Sequence, residues 1–377
     1  MAGGSTYGNI VGNQAGGART NSIAFGNYAI GGGFANQSAF FIDGVASNGP
    51  ANNANSLIPS QDSVQEFRIA TNNVSAEYGS YAGGVINITT RSGTNQFHGS
   101  AYDYLRNKVL NANDFFSRIN HIDRAPLRQN QFGGKLGGPI LKNKSFFFFN
   151  YEGLRNHSGV LSSTTVPTAA MLNGDFSAAG FPKIYDPTTG TQFSCNGVLN
   201  VICPNRINAS ALAILKTDYP TGSPSVATLQ KLPSSFGLNN YVFRFPTNGV
   251  QDQYTARVDH TFSSRDNLFG RYTYWKVISS PYDAWGTHTQ GQGRTGLYSQ
   301  QAVLGNTYTI NPKTMLDVRA SYVRIFQNES PDSAGTDLSQ FGNAWGALSS
   351  SLLGTTLKPN VAFTTSGAGI AGLGMEA

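Results

Sequence analysis

The chain has 377 residues, enough for two or three ordinary domains, and a net charge of +6. Charged residues make up 12% of it, about half the usual share, while glycines number 44 and aromatics reach 12%. No window of about 18 apolar residues exists, so there is no transmembrane helix. No Lys/Arg cluster interleaves with aromatics, which argues against a nucleic-acid surface.

This balance is unusual for a water-soluble enzyme. It suits a transmembrane β-barrel, whose strands need apolar residues only at every second position while polar ones face the lumen.

The opening MAGGSTYGNIVGNQ carries neither the positive n-region nor the apolar h-region of a secretory signal. An outer-membrane protein requires such a signal, so the chain is expected to be a fragment. Residues 1–38 are Gly/Asn/Ser-rich and weakly patterned. FFIDG (Phe40 to Gly44) reads as a short strand closed by an Asp-Gly turn. A loop, Val45 to Pro59, follows. Ser60 is expected to cap a helical turn into Val64, with Gln61 and Asp62 in that turn. Glu66 to Thr71 alternates, and a Gly-rich turn from Glu77 then feeds a β-branched strand, Val85 to Thr90. These pieces predict a small mixed α/β unit ending near Gly93.

From Gln96 the pattern changes to long alternating segments: Gln96–Arg106, Gln129–Ile140, Ser145–Arg155, Asp252–Phe262, Asn267–Lys276, Tyr298–Ile310 and Thr314–Ile325. Each is near the length that crosses a bilayer at barrel tilt. In Asp252–Phe262, Tyr254, Ala256, Val258 and Phe262 share one face, opposite Gln253, Thr255, Arg257, Asp259 and Thr261. A β-sandwich also alternates, so the connections carry more weight. Three links are short: Leu141–Lys144, Ser263–Asp266 and Asn311–Lys313. They alternate with long ones of about 22, 96 and 21 residues, the asymmetry of tight periplasmic turns and large extracellular loops.

Cys195 and Cys203 lie within the longest connection. Their spacing fits a small disulfide loop in an oxidising compartment, with two unpaired thiols as the alternative. Tyr272, Tyr274, Trp275, Tyr151 and the run Phe146–Phe149 sit at or near strand ends, as interfacial girdles require. The phenylalanine run breaks strict alternation and is expected to turn two rings inward, toward whatever fills the barrel.

Catalytic and metal chemistry has no foothold in this sequence. His98, His121, His157, His260 and His288 fall in different elements without ligand spacing. No GxSxG, HExxH, CxxC or P-loop pattern occurs. GGKLGG (Gly133 to Gly138) lies inside a predicted strand, where glycine allows close packing. The carboxylates Asp43, Glu66, Glu77, Asp103 and Glu152 show no catalytic pairing. No catalytic residue, cofactor or metal is expected, and the chain is read as a non-enzyme.

QEFRIATNNVSAEYGSYAGGVINITTRSGT (Gln65 to Thr94) resembles the closing part of the plug domain of TonB-dependent outer-membrane receptors. FHGSAYDYLRN, LNANDFF, QNQFGGKLGGPI, KSFFFFNYEGLR and the shorter blocks TVPT, GDFS, IYDP and NRIN resemble the Oar-like branch of that family. The resemblance implies a mostly β fold: a partial transmembrane antiparallel β-barrel, about seven or eight of an expected ~22 strands, preceded by an incomplete small α/β plug. Residues 1–93 would be the C-terminal part of the plug, with Arg68, Glu77, Tyr78, Gly79, Gly83, Gly84 and Asn87 as its motif. Residues 94–377 would be the first part of the barrel, with extracellular loops near 107–128, 156–251, 277–297 and 326–377.

The implied partners are outer-membrane lipid, an extracellular solute and the TonB-ExbB-ExbD system, reached through an N-terminal box that these residues lack. The implied function is energy-coupled transport of a large solute across the outer membrane in the intact protein. A non-transporting adhesin or structural barrel is one alternative, and a protein-export role of Oar type is another.

Overall fold

Two β units form, and the switch from short to long alternating segments marks the passage between them. The computed structural model describes residues 30, 37–49, 53, 55–71, 74–75, 78–79, 81–119, 123–164, 167–178, 182–218, 241–280, 294–330 and 335–351. The N-terminal unit is a four-stranded sheet of β1 (Ala39–Ile42), β2 (Val45–Ala46), β3 (Val64–Ala70) and β4 (Val85–Thr90), in the order β2-β1-β4-β3. β1 pairs in parallel with β4, and the other two pairings are antiparallel. Asp43 (φ 51°) and Gly44 (φ 76°) supply the two left-handed residues that a tight β1–β2 hairpin needs. The helical turn at Gln61–Ser63 forms, but Ser60 does not cap it; its hydroxyl donates instead to Asn150 Oδ1 at 2.5 Å.

The second unit is one seven-stranded antiparallel sheet. It contains β5 (His98–Asn107), then a short helix α1 (Phe115–Ile119), β6 (Leu127–Leu141) and β7 (Ser145–Thr164). In the connection that follows lie α2 (Ala169–Leu172), the small hairpin β8 (Ser194–Cys195) and β9 (Val198–Leu199), and α3 (Ala209–Asp218). The sheet resumes with β10 (Tyr241–Ser263), β11 (Asp266–Ser280), β12 (Arg294–Asn311) and β13 (Thr314–Ser330), and α4 (Asn343–Ser351) comes after it. The sheet strands pair in chain order, leaving β5 and β13 at its edges among the described residues.

All seven alternating segments are strands, but several run beyond their expected ends. β7 continues past Arg155 to Thr164, and β10 starts at Tyr241, paired from Tyr241–Thr164 to Gln251–Leu154. The 156–251 connection is therefore a two-stranded stem carrying a shorter loop. Asn156, His157, Ser158 and Gly159 hide the extension, because four small or polar residues in a row show none of the apolar alternation that marks a strand.

The sheet has two different faces. Gln253, Thr255, Arg271, Thr273, Ser299 and Gln301 are buried on the concave side, while Tyr254, Val258, Tyr272, Leu304, Val318 and Tyr322 stand exposed on the other. Polar inside and apolar outside is the inverse of a soluble protein and the arrangement of a barrel wall in lipid. In the phenylalanine run Phe148 is buried on the concave side and Phe149 is exposed.

Beyond the strand ends, Ile214 of α3 packs with Leu338 and Phe341, flanked by Ala213 and Trp345. This joins the β7–β10 connection to the segment after β13. Cys195 and Cys203 are bonded, with Cα atoms 5.2 Å apart, around an Asn196-Gly197 turn of positive φ.

Candidate functional site

The four-stranded sheet seats against the concave face of the wall, and the contact between them is where charge is concentrated. The β1–β2 hairpin carries Asp43 into it. Its carboxylate is almost fully enclosed, with 2% of the side chain accessible. The Thr90 amide donates to Asp43 Oδ1 and the Thr90 hydroxyl to Oδ2, both at 2.8 Å.

Three wall arginines converge on this point. Arg271 Nε lies 2.6 Å from Asp43 Oδ2 as an ion pair, and the arginine side chain is fully buried. Its Nη2 donates to Gln301 Oε1 at 2.8 Å and its Nη1 to Thr273 Oγ1 at 2.9 Å. Arg257 Nη1 donates to Asp43 Oδ1 and to the Thr90 carbonyl, each at 3.2 Å. Its Nη2 pairs with Asp259 Oδ1 at 2.8 Å. Arg319 Nη1 donates to the Asp43 carbonyl at 3.1 Å and pairs through Nε with Asp317 at 2.9 Å. Three arginines and three carboxylates balance in charge. Arg319 and Asp317 are each more than a third exposed; among the more enclosed Asp43, Asp259, Arg257 and Arg271 the charges balance two against two, and an unpaired charge there would be strongly disfavoured.

Around the cluster other contacts tie the two units. Ser92 Oγ donates to Asp259 Oδ2 at 2.7 Å, Gln253 Nε2 to the Ile58 carbonyl at 2.7 Å, and Lys135 pairs with Asp62. Ile30, Phe40, Ile42, Leu57, Ile86 and Ile88 form one apolar cluster with Trp275, Val277 and Leu297 of the wall. The interface is thus a greasy patch on one side and an ionic, hydrogen-bonded one on the other. Strong contacts of the second kind are exchangeable for water once the surfaces separate.

The motif residues flagged in the sequence do not enter this cluster. Arg68 lies exposed on β3, across the ladder from Asn87, which also pairs with Phe41 of β1. The Tyr78 and Phe41 rings meet edge to face with centroids 5.2 Å apart, and Gly79 is exposed. Gly83 donates its amide to the Gln37 carbonyl at 2.9 Å. Gly84 is buried where a Cβ would fall 2.3 Å from Ile30 Cγ2, so no side chain fits. Glu77 lies outside the described residues. The motif therefore lays β4 between β1 and β3, while Asp43, Thr90, Arg257, Arg271 and Arg319 make the contact. Their signal in the sequence was the presence of arginines on the polar face of alternating strands. Among the described residues no group of three or more His, Cys, Asp or Glu could hold a metal.

Residues 89–376 match the family described as "Outer membrane beta barrel domain". Over 129 residues the chain is 36% identical to the TonB-dependent transporter Oar of Myxococcus xanthus, a stretch covering 33% of this chain and 12% of that protein. Among solved structures, the outer membrane transporter YddB from Escherichia coli aligns over 79% of this chain and 32% of its own, at 12% identity and a TM-score of 0.45. The ferric-catecholate import receptor Fiu from E. coli K12, in its open form, aligns over 80% of this chain and 44% of its own, at 11% identity and a TM-score of 0.37. The chain thus spans about an eighth of the transporter Oar and less than half of each of these two structures' chains. A family match across most of the length agrees with a wall that is apolar outside and polar inside: this chain belongs to the outer-membrane β-barrel domain family, and its place is the outer membrane.

Proposed function

We propose that the chain is the plug-to-barrel part of a TonB-dependent receptor that carries a large solute across the outer membrane. Residues 1–93 are the end of the plug in this reading, and residues 94–377 begin the barrel. The supporting observation is the seating of the four-stranded sheet against the concave wall through the Asp43, Arg257 and Arg271 ion pairs. A permanent structural filler would be served by apolar packing alone, whereas a charge-balanced contact can open into water and close again. The long connections after β5, β7, β11 and β13 form the recognition surface, and the pull from the TonB system reaches the plug from its N-terminal side.

Ser60, buried against Asn150, provides the test. A cysteine placed there in the intact protein should be labelled by a membrane-impermeant maleimide in energised cells and protected when TonB is deleted. Equal protection in both strains would overturn transport and favour the adhesin, in which the plug is permanent.

A further inference from the structure

The concave face carries polar and aromatic side chains that neither the ion cluster nor the apolar patch uses. They lie farther from the short turns than Arg257 and Arg271 do, on two neighbouring rungs of the ladder across β5, β6, β7 and β10. The first rung joins Tyr102, Gly133, Glu152 and Gln253; the next joins Tyr104, Gln131, Leu154 and Gln251. On β7 and β10 these positions share the parity of Asn150 and Thr255, which are buried on the concave side.

The Tyr102 hydroxyl reaches across β6 and donates to Glu152 Oε2 at 2.7 Å. Gly133 leaves it room, since a Cβ there would fall 2.7 Å from the tyrosine oxygen. Glu152, Leu154, Gln251, Gln253 and Trp275 line a recess with Ile58, which belongs to the connection between β2 and β3. It holds about 260 Å³ of empty space, part of it open to solvent. Tyr104 stands on the farther rung, 64% exposed, with its ring centroid 5.2 Å from that of Tyr102.

Charge and hydrogen-bonding capacity sort the ligands such a surface can take. Neither rung contains a Lys or Arg. The concave-side cations one rung away on either side are engaged: Lys135 pairs with Asp62, and Arg106 donates to Gln129 at 3.4 Å. An anionic ligand would therefore set its charge against Glu152 with nothing to offset it. A cationic one would find a single carboxylate, one oxygen of which already accepts from Tyr102. A hydroxyl both donates and accepts, which suits a carboxylate beside the side-chain amides of Gln131 and Gln251. The exposed Tyr104 ring adds a flat apolar surface that matches the C–H face of a pyranose.

We infer that this part of the concave face binds a neutral oligosaccharide. Its end enters the recess and hydrogen-bonds to Glu152 and Gln251, and a following sugar ring lies on Tyr104. Gln253 ties the wall to the Ile58 carbonyl at the same place, so a bound saccharide touches both units at their seam. The inference rests on the transport reading, whose solute it names, but the binding itself needs no energised membrane.

The test titrates the purified intact protein in detergent by calorimetry. The probes are cellohexaose, xylohexaose and maltohexaose, with hexalysine and a ferric tricatecholate as charged counterparts. At least one hexaose should bind saturably, with the same affinity in about 50 and about 500 mM NaCl, and neither charged probe should bind more tightly. Tyr104→Ala should weaken that hexaose about tenfold and Glu152→Gln about threefold, while Tyr104→Phe should bind as the unsubstituted protein does. Binding of no hexaose, tighter binding of a charged probe, or undiminished affinity in Tyr104→Ala would each overturn the inference. Should Tyr104→Ala lose its heat-resistant gel migration, Gln251→Ala is read instead, with an expected loss of about fivefold. No loss there would overturn it as well. Hexaose binding without TonB-dependent labelling at position 60 would keep this site and sink transport, and labelling without hexaose binding would do the reverse.

Discussion

Asp43 and Arg271 meet across the junction of the four-stranded sheet and the wall, Oδ2 to Nε 2.6 Å apart, with 2% and 0% of their side chains accessible. They are separated by most of the chain, yet each is the other's closest counter-charge. Burial makes their pairing obligatory: an ion so enclosed must keep its partner or leave the site.

Replacing Asp43 by Ala leaves Arg271 buried without its counter-ion and takes from Arg257 one of its two carboxylates. The expected cost is about 3–5 kcal/mol at the plug–wall contact. In the intact protein this should appear as plug release at lower urea, read as protease access to residues 39–90, with the heat-resistant migration of the barrel retained. An unchanged urea midpoint would show that the cluster contributes nothing to seating.

Gly44 combines φ 76° with a blocked exterior, since a Cβ there would fall 1.3 Å from Arg319 Nη1. Gly44→Ala should therefore strain the hairpin and displace the arginine from the Asp43 carbonyl, a loss of about 2 kcal/mol or more. Gly197 has a similar φ of 81° and nothing within 4 Å, so Gly197→Ala isolates the backbone part, about 1 kcal/mol. Urea denaturation of both variants should separate them by the difference; identical midpoints would remove the steric part of the account.

Strand positions were legible because alternation and strand length are set by the bilayer, one residue at a time. Asp252–Phe262 reads the same in the sequence and in the ladder. The stem formed by Asn156–Thr164 was hidden because its pairing with β10 is made by backbone groups and its first four residues carry no apolar alternation. Asp43 was visible only as one carboxylate among five. Its partners Arg257 and Arg319 are 214 and 276 residues away, and only the curl of the sheet brings them together. Arg271, which did not stand out within its segment, is the most buried of the three.

Asp186, in the connection between β7 and β10, is enclosed and accepts from the Thr188 hydroxyl at 2.7 Å and amide at 2.9 Å, and pairs with Arg206 at 2.7 Å. The Thr188 hydrogen bonds first, then Arg206, hold its carboxyl well below the usual carboxylate range. A depressed folded-state value means that its stabilisation is present above the unfolded value of about 4 and is lost as pH falls below it. Acid-stable protease digestion should cut residues 167–218 progressively faster as pH drops from about 5 to 3. Asp186→Asn should flatten that dependence, and an unaltered profile would place the acid sensitivity elsewhere.

Among the described residues, β5 and β13 are the edge strands of the wall, with no strand paired to their outer sides. Each unsatisfied backbone group in hydrocarbon costs several kcal/mol, so an edge costs roughly tens. The chain alone should aggregate or insert poorly, and a heat-resistant band from it in detergent would contradict this.

The parallel pairing of β1 with β4 has a mechanical consequence. A tug entering from the N-terminal side of β1, resisted where β4 runs on into the wall, acts on opposite ends of two parallel strands. The hydrogen bonds from Ala39–Val85 to Ile42–Ile88 are then strained together in shear, not peeled one by one. Asp43 stands at the end of that same line. The assembly should yield at a threshold, holding firm under weak tension and giving way at once under a stronger one.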